Sequence, residues 1–245
     1  MDVDRFLREL QLNGELLARA AEYAGPDAPV PSCPGWTVSR AVGHVAKVHQ
    51  WAAWIVRGGA PDRFNYRRPE PADLLPAYRA GLAELTEALA RASDGQPMYT
   101  LWPAQAPRLF WARRQAHETA IHRVDLQLAA GYGVSDLDPD FAADGIDELV
   151  MGMIPDRLAA ATADRPVRVL LEPLDANASW TVLIAPDGVH VDRQVSDGAD
   201  LCVFGLSAEL YRWAWNRAGD DEVSLRGELP VADRWREIVR IGARG

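Results

Sequence analysis

One of the five histidines in this chain, His122, shares a helical face with a carboxylate. Glu118 and His122 stand four apart in His117-Glu118-Thr119-Ala120-Ile121-His122, about 40° from one another around a helix axis. A carboxylate oxygen and an imidazole nitrogen one turn apart can grip a divalent ion. A second histidine from a facing helix would complete a His2Glu set, the ligand class of catalytic zinc sites that keep one coordination position open. The string is not the H-E-x-x-H of metalloproteases, because its two histidines are five apart. His44 and His49 differ by about 140° on their own helix, as do His117 and His122, so neither pair can converge on one atom.

Each of these residues has a plainer reading. Glu118 and His122 also fit a solvated i,i+4 pair on an exposed helix face. The apolar neighbours Ile121, Val124 and Leu128 place them instead at the inner edge of a buried stripe, where a lone carboxylate would be costly. His44, in Val42-Gly43-His44-Val45, fits a core histidine as well as a third ligand. His49 and His117 fit either supporting groups behind the ligands or surface residues. Asp125 is read first as an ion-pair partner of Arg123 or Arg113, and second as a group orienting His122. Cys33 has no helix N-terminus to activate it, and Pro34-Gly35-Trp36 reads as a rigid loop that aims the following helix. The nine tryptophans are core residues by default, some of them walls for a pocket.

The elements that must carry these residues fall into two halves. To about residue 163 the apolar spacing is helical. A first helix ends at Gly25-Pro26-Asp27. A second, capped by Thr37, runs to Ile55 or Val56 before Gly58-Gly59. A third spans Pro71 to Arg91, a fourth Pro107 to Ala130 with Gly131 as its stop, and another follows Pro139. Such a series predicts an antiparallel four-helix bundle. From about 164 onward, short β-prone runs appear at Val167 to Glu172, Trp180 to Ala185, Gly188 to Arg193 and Leu201 to Phe204, with Pro186-Asp187-Gly188 closing a hairpin. Helical patterns return at Ser207 to Arg217 and Val231 to Arg240, around a short strand at Val223 to Leu225. The expected fold is therefore α plus α+β: a helical bundle over 1–163 and a small α+β domain over 164–245.

Composition narrows the function classes. Hydrophobic residues at 48% and charged ones at 25% exclude disorder as the general state. With 35 acidic and 26 basic residues, the net charge of -9 repels phosphate backbones and anionic lipid, so neither nucleic acid nor membrane is an expected partner. No apolar run approaches the roughly 18 residues of a membrane span, and the acidic N-terminus lacks a signal-peptide pattern, so a cytoplasmic protein is expected. Two cysteines, Cys33 and Cys202, are too few for a disulfide framework or a thiolate metal site. Lys47 is the sole lysine among many arginines, as a GC-rich genome produces.

The strings Cys33-Pro34-Gly35-Trp36-Thr37-Val38, His44, Trp51 and His117 through Asp125 resemble the mycothiol-dependent maleylpyruvate isomerase family over nearly the whole chain. The resemblance implies a DinB-like metal-binding four-helix bundle joined to a sterol-carrier-like C-terminal α+β domain. It implies Zn2+ or another divalent metal on His44, Glu118 and His122, the catalytic residues, with mycothiol as the low-molecular-weight thiol. A looser C-terminal match, Trp180 before the Pro186-Asp187-Gly188 turn and Leu210 to Arg217 before Gly227, points to Arg217 as a substrate-binding residue. An exposed helix-end arginine fits that position equally. The implied reaction is cis-trans isomerisation of a maleylpyruvate-like acid. Mycothiol S-transfer to an electrophile is the alternative, and a small-ligand binder with a structural metal is the non-enzymatic one.

Overall fold

The computed structural model describes residues 1–154, 165–195 and 198–239. Among them the chain forms two compact units, Met1–Ser135 and Asp136–Gly245.

The first unit is built on four long helices. Helix α1 (Val3–Ala24) starts where the Asp2 side chain accepts from the Arg5 amide and stops at Gly25, whose φ of 83° a side chain would resist. Helix α2 (Val38–Val56) is capped by Thr37, which accepts from the Arg40 amide. Ahead of it, residues 30–36 close on themselves: the Val30 amide donates to the Trp36 carbonyl at 3.0 Å, and the Trp36 amide to the Cys33 carbonyl at 2.9 Å. Pro31 and Pro34 forbid a helix here, and Gly35 at φ 79° makes the turn. A 3-10 turn, Pro71–Asp73, leads into α3 (Leu74–Arg91). Helix α4 (Pro107–Ala130) has proline at its start, where a missing N–H costs nothing, and left-handed Gly131 at its end.

α1 packs on α4, α2 on α3, α1 also on α3, and α2 also on α4. The core between them gathers Leu17, Val38, Val42, Val45, Tyr78 and Leu126, and the Tyr78 hydroxyl donates to the Gly14 carbonyl at 3.0 Å. Helix α4 is buried nearly all round, carrying Arg114, Gln115, His117, Thr119, His122, Asp125 and Gln127 into the interior. Buried polar groups in that number need partners. Those partners define the site described below.

In the second unit, α5 (Pro139–Asp147), capped by Asp138, runs on into a π-helical turn, Glu148–Met153. A five-stranded sheet follows: β1 (Val167–Pro173), β2 (Trp180–Ala185), β3 (Gly188–Asp192), β4 (Leu201–Gly205) and β5 (Ser224–Gly227), in the order β3-β2-β1-β4-β5. β1 and β4 pair in parallel, and the other neighbours are antiparallel. Ala185 faces Gly188 across the expected hairpin turn. Helix α6 (Ser207–Ala214) lies on β1 and β4 with α5 against it, and α7 (Pro230–Ile238) stacks Trp235 on Trp213 at 5.8 Å. α6 ends before the expected Arg217, because Asn216 takes a φ of 60° and its amide group donates to the Arg236 and Val239 carbonyls.

The expected boundary at 163/164 lies outside the described residues, as does Arg240, the expected end of the last helix. The described residues on the bundle side of that boundary do not all join the bundle. Asp147 at the end of α5 accepts from Trp180 Nε1 at 2.9 Å and from Arg193 Nη2 at 2.9 Å. These bonds tie α5 to the strands, so the units part at Ser135/Asp136 instead. No helix among the described residues is long and apolar enough to cross a membrane.

Candidate metal centre

His44 from α2 meets Glu118 and His122 from α4. His44 Nε2 lies 3.1 Å from Glu118 Oε1, and His122 Nε2 lies 3.4 Å from the same oxygen. One ligand atom from each residue falls within 4.8 Å of the others. The solvated-pair reading of Glu118 and His122 is set aside: the Glu118 side chain is 16% exposed and that of His122 8%. His44 is 37% exposed, so the cluster opens to solvent along the α2 edge.

Glu118 and His122 are each held from behind. Arg114, one turn before Glu118 and 3% exposed, donates from Nη2 to Glu118 Oε2 at 2.7 Å. That bond leaves Oε1 turned toward the two imidazoles. Asp125 Oδ2 accepts from His122 Nδ1 at 2.9 Å, which fixes the tautomer and directs Nε2 at the cluster. Asp125 is itself held by Ser32 Oγ, which donates to Oδ1 at 2.5 Å, and by Cys33 Sγ, 3.5 Å from Oδ2. The loop before α2 therefore steadies a ligand on α4. The orienting role of Asp125, ranked second from the sequence, is the one its geometry displays. Arg123 bonds the Ser135 hydroxyl and carbonyl. Cys33 is buried and serves this support.

Trp36 walls the cluster. Its ring is stacked with that of His122 at 6.1 Å and 9°, and lies 5.2 Å from that of His44. His49 and His117 are both fully buried, which removes the surface reading of either. His117 meets Phe6 edge-on at 5.9 Å.

The electrostatics follow from this packing. Burial pulls Glu118 upward, but hydrogen bonds from His122 and His44 and the charge of Arg114 outweigh it and hold the carboxyl well below its usual range. Burial likewise opposes charge on His122, yet Asp125 and Glu118 push it up to about 9. A divalent cation held by His122 Nε2 and Glu118 Oε1 would compete with a proton for the same atoms. The donor set fits such an ion: two imidazole nitrogens and one carboxylate oxygen, with Glu118 Oε2 and His122 Nδ1 already engaged elsewhere.

His49 behaves oppositely. Thr119 Oγ1 donates to the Gln115 carbonyl at 2.7 Å, so it accepts from His49 Nε2 at 2.8 Å and the ring is neutral. Burial pushes His49 down to about 3. The unfolded chain then binds a proton that the folded one refuses between pH 6.5 and about 3, so stability falls as pH drops through this window. From pH 6.5 to pH 5 the loss attributable to His49 is about 2 kcal/mol. Urea unfolding of His49→Asn should accordingly show a weaker acid dependence than wild type, and parallel curves would refute the assignment.

Arg217 lies in the second unit, 9% exposed, with Nη1 donating to the Trp215 carbonyl at 2.7 Å. It is not the exposed helix-end arginine that the sequence also allowed.

Residues 7–127 match the family described as mycothiol maleylpyruvate isomerase N-terminal domain, and this part of the chain belongs to that family. Two solved structures share the fold over nearly the whole length. They are the mycothiol-dependent maleylpyruvate isomerase, with a TM-score of 0.65, and a variant of it with one histidine changed to alanine, at 0.66. Each is 18% identical, and each match covers 94% of this chain and 95% of the other. No curated protein matches the chain.

Proposed function

We propose that this chain is a cytoplasmic metal- and thiol-dependent enzyme that uses mycothiol for the cis-trans isomerisation of a maleylpyruvate-like acid. The observation that carries the reading is the convergence of His44 Nε2 and His122 Nε2 on Glu118 Oε1, with Asp125 and Arg114 fixing two of the three ligands from behind. The matched domain family and the shared fold support it.

A divalent ion such as zinc, bound there, supplies Lewis acidity that keeps a thiol ionised near neutral pH. His44, Glu118 and His122 would hold it. Arg114 neutralises Glu118 Oε2, leaving Oε1 toward the imidazoles, and Asp125 balances His122. Trp36 closes one side against water, while the exposed edge of His44 leaves the approach for thiol and substrate. The chain needs no nucleophile of its own, consistent with a buried Cys33 engaged by Asp125. A reversible thiol adduct lets a double bond rotate and releases the thiol unchanged, whereas S-transfer consumes it.

That difference makes the test. Zinc-loaded protein given mycothiol and maleylpyruvate should yield the trans acid with all thiol recovered. Thiol loss with an electrophile panel and no isomerisation would assign S-transfer instead. No turnover in either assay, on protein that keeps its metal, would overturn the enzymatic reading in favour of a ligand binder. In the same assay Arg217, proposed here as a carboxylate anchor, should reveal itself as a KM effect. Arg217→Gln should raise KM for the acid about ten-fold with metal content retained. An unchanged KM with a lowered Tm would give Arg217 a structural role.

A further inference from the structure

Two arginines on or against α2, the helix that carries His44, have no acid partner among the described residues. Arg57, Arg79, Arg108 and Arg114 each pair with a carboxylate in the first unit. Arg40 and Arg68 have no carboxylate partner among the described residues, in a chain with nine more acids than bases. Arg40 sits on the helix that carries His44, and Arg68 packs on that helix at Gly43, the residue before His44. Arg40 lies one helical turn before it on α2, its guanidinium 5.1 Å from the centroid of the Trp36 ring, which itself lies 5.2 Å from the His44 ring. Arg68 comes from the segment between α2 and α3. Its Nη2 donates to the Ser39 carbonyl at 3.0 Å, and its guanidinium fills the space that a Cβ at Gly43 would need. Gly43 is the residue before His44, and Tyr66 also reaches its carbonyl, at 3.4 Å.

The absence of a side chain at Gly43 thus lets the Arg68 guanidinium pack against α2 at the residue before a candidate ligand. One edge of the guanidinium is spent on the Ser39 carbonyl, which fixes its orientation at little entropic cost when an anion arrives. Arg40 is oriented by the indole in the same way. Two unneutralised, pre-oriented guanidinium groups beside an opening form a binding site for a small carboxylate.

We infer that Arg68 and Arg40 form a carboxylate-binding rim at the mouth of the His44/Glu118/His122 cluster, made for a short dicarboxylic acid. The inference deepens the proposed function and rests on it for the anionic substrate. It adds a carboxylate subsite within the first unit. The rim's charge does not depend on the ion, so it can be tested apart from the metal.

Maleate, a stable cis-dicarboxylate, is the probe, titrated calorimetrically into zinc-loaded and into metal-free protein. Wild type should bind it, and Arg68→Gln should raise Kd at least ten-fold, with Arg68→Lys intermediate and metal content unchanged. Gly43→Ala is the independent check. Alanine favours the helix, so the variant folds, while its Cβ displaces the flexible guanidinium and weakens maleate binding with Arg68 still present. Equal binding by wild type, Arg68→Gln and Gly43→Ala would overturn the rim, as would absence of maleate binding by wild type in both metal states. Failure of wild type to hold zinc would count against the proposed function alone, since loss of maleate binding in metal-free Arg68→Gln would still support the rim.

Discussion

Replacing both His44 and His122 with alanine is expected to lower bound zinc from about one ion per chain to background, in protein purified without chelator. Two of the three donors disappear, and a single carboxylate already bonded to Arg114 cannot hold the ion alone. The fold should survive, because Glu118 keeps its Arg114 partner and the core of Leu17, Val45, Tyr78 and Leu126 is untouched. Circular dichroism with elemental analysis separates loss of metal from loss of structure. Wild type should also gain thermal stability from zinc, about 2.7 kcal/mol at a hundred-fold excess over Kd, and the double variant should gain none. A wild-type protein that stays metal-free after zinc is offered would reduce the three residues to a buried hydrogen-bond cluster.

The second large effect is expected at Asp125, which touches no ion. Asp125→Asn puts an uncharged amide where one buried carboxylate now serves His122, Ser32 and Cys33. The His122 ring loses its fixed tautomer and part of its basicity, and zinc Kd should rise about 10- to 100-fold. Ser32→Ala should act in the same direction and more weakly, since Asp125 keeps its charge and its bond to His122. Competition with a chromophoric chelator measures both. Unchanged affinity in Asp125→Asn would mean that Trp36 packing alone orients His122.

Much of this arrangement is legible in the sequence, because it depends on local rules. The bounds of α4 follow from Pro107 and Gly131, the start of α2 from Thr37, and the shared face of Glu118 and His122 from their spacing of four. Long-range partners are not legible in that way. Ser32 is 93 positions from Asp125, and nothing near either residue announces the bond, so Asp125 looked like a partner for nearby arginines. Arg114 carried a readable signal, a cation four before Glu118, that periodicity alone did not rank. The allegiance of α5 to the sheet rests on Asp147 meeting Trp180 and Arg193, 33 and 46 positions away. The parallel pairing of β1 with β4 likewise joins strands separated by a hairpin. Helix α6 stops early for the backbone conformation of a single asparagine, which the apolar pattern around it does not encode.

His44, Glu118 and His122, with Ser32, Trp36, Arg114 and Asp125 around them, fall between Ser32 and Asp125, inside Met1–Ser135. The centre is therefore a self-sufficient inheritance. A lineage can exchange, reshape or lose the mixed sheet that follows without rebuilding the ion-binding apparatus. Selection on the helices and selection on the strands can then proceed at different rates.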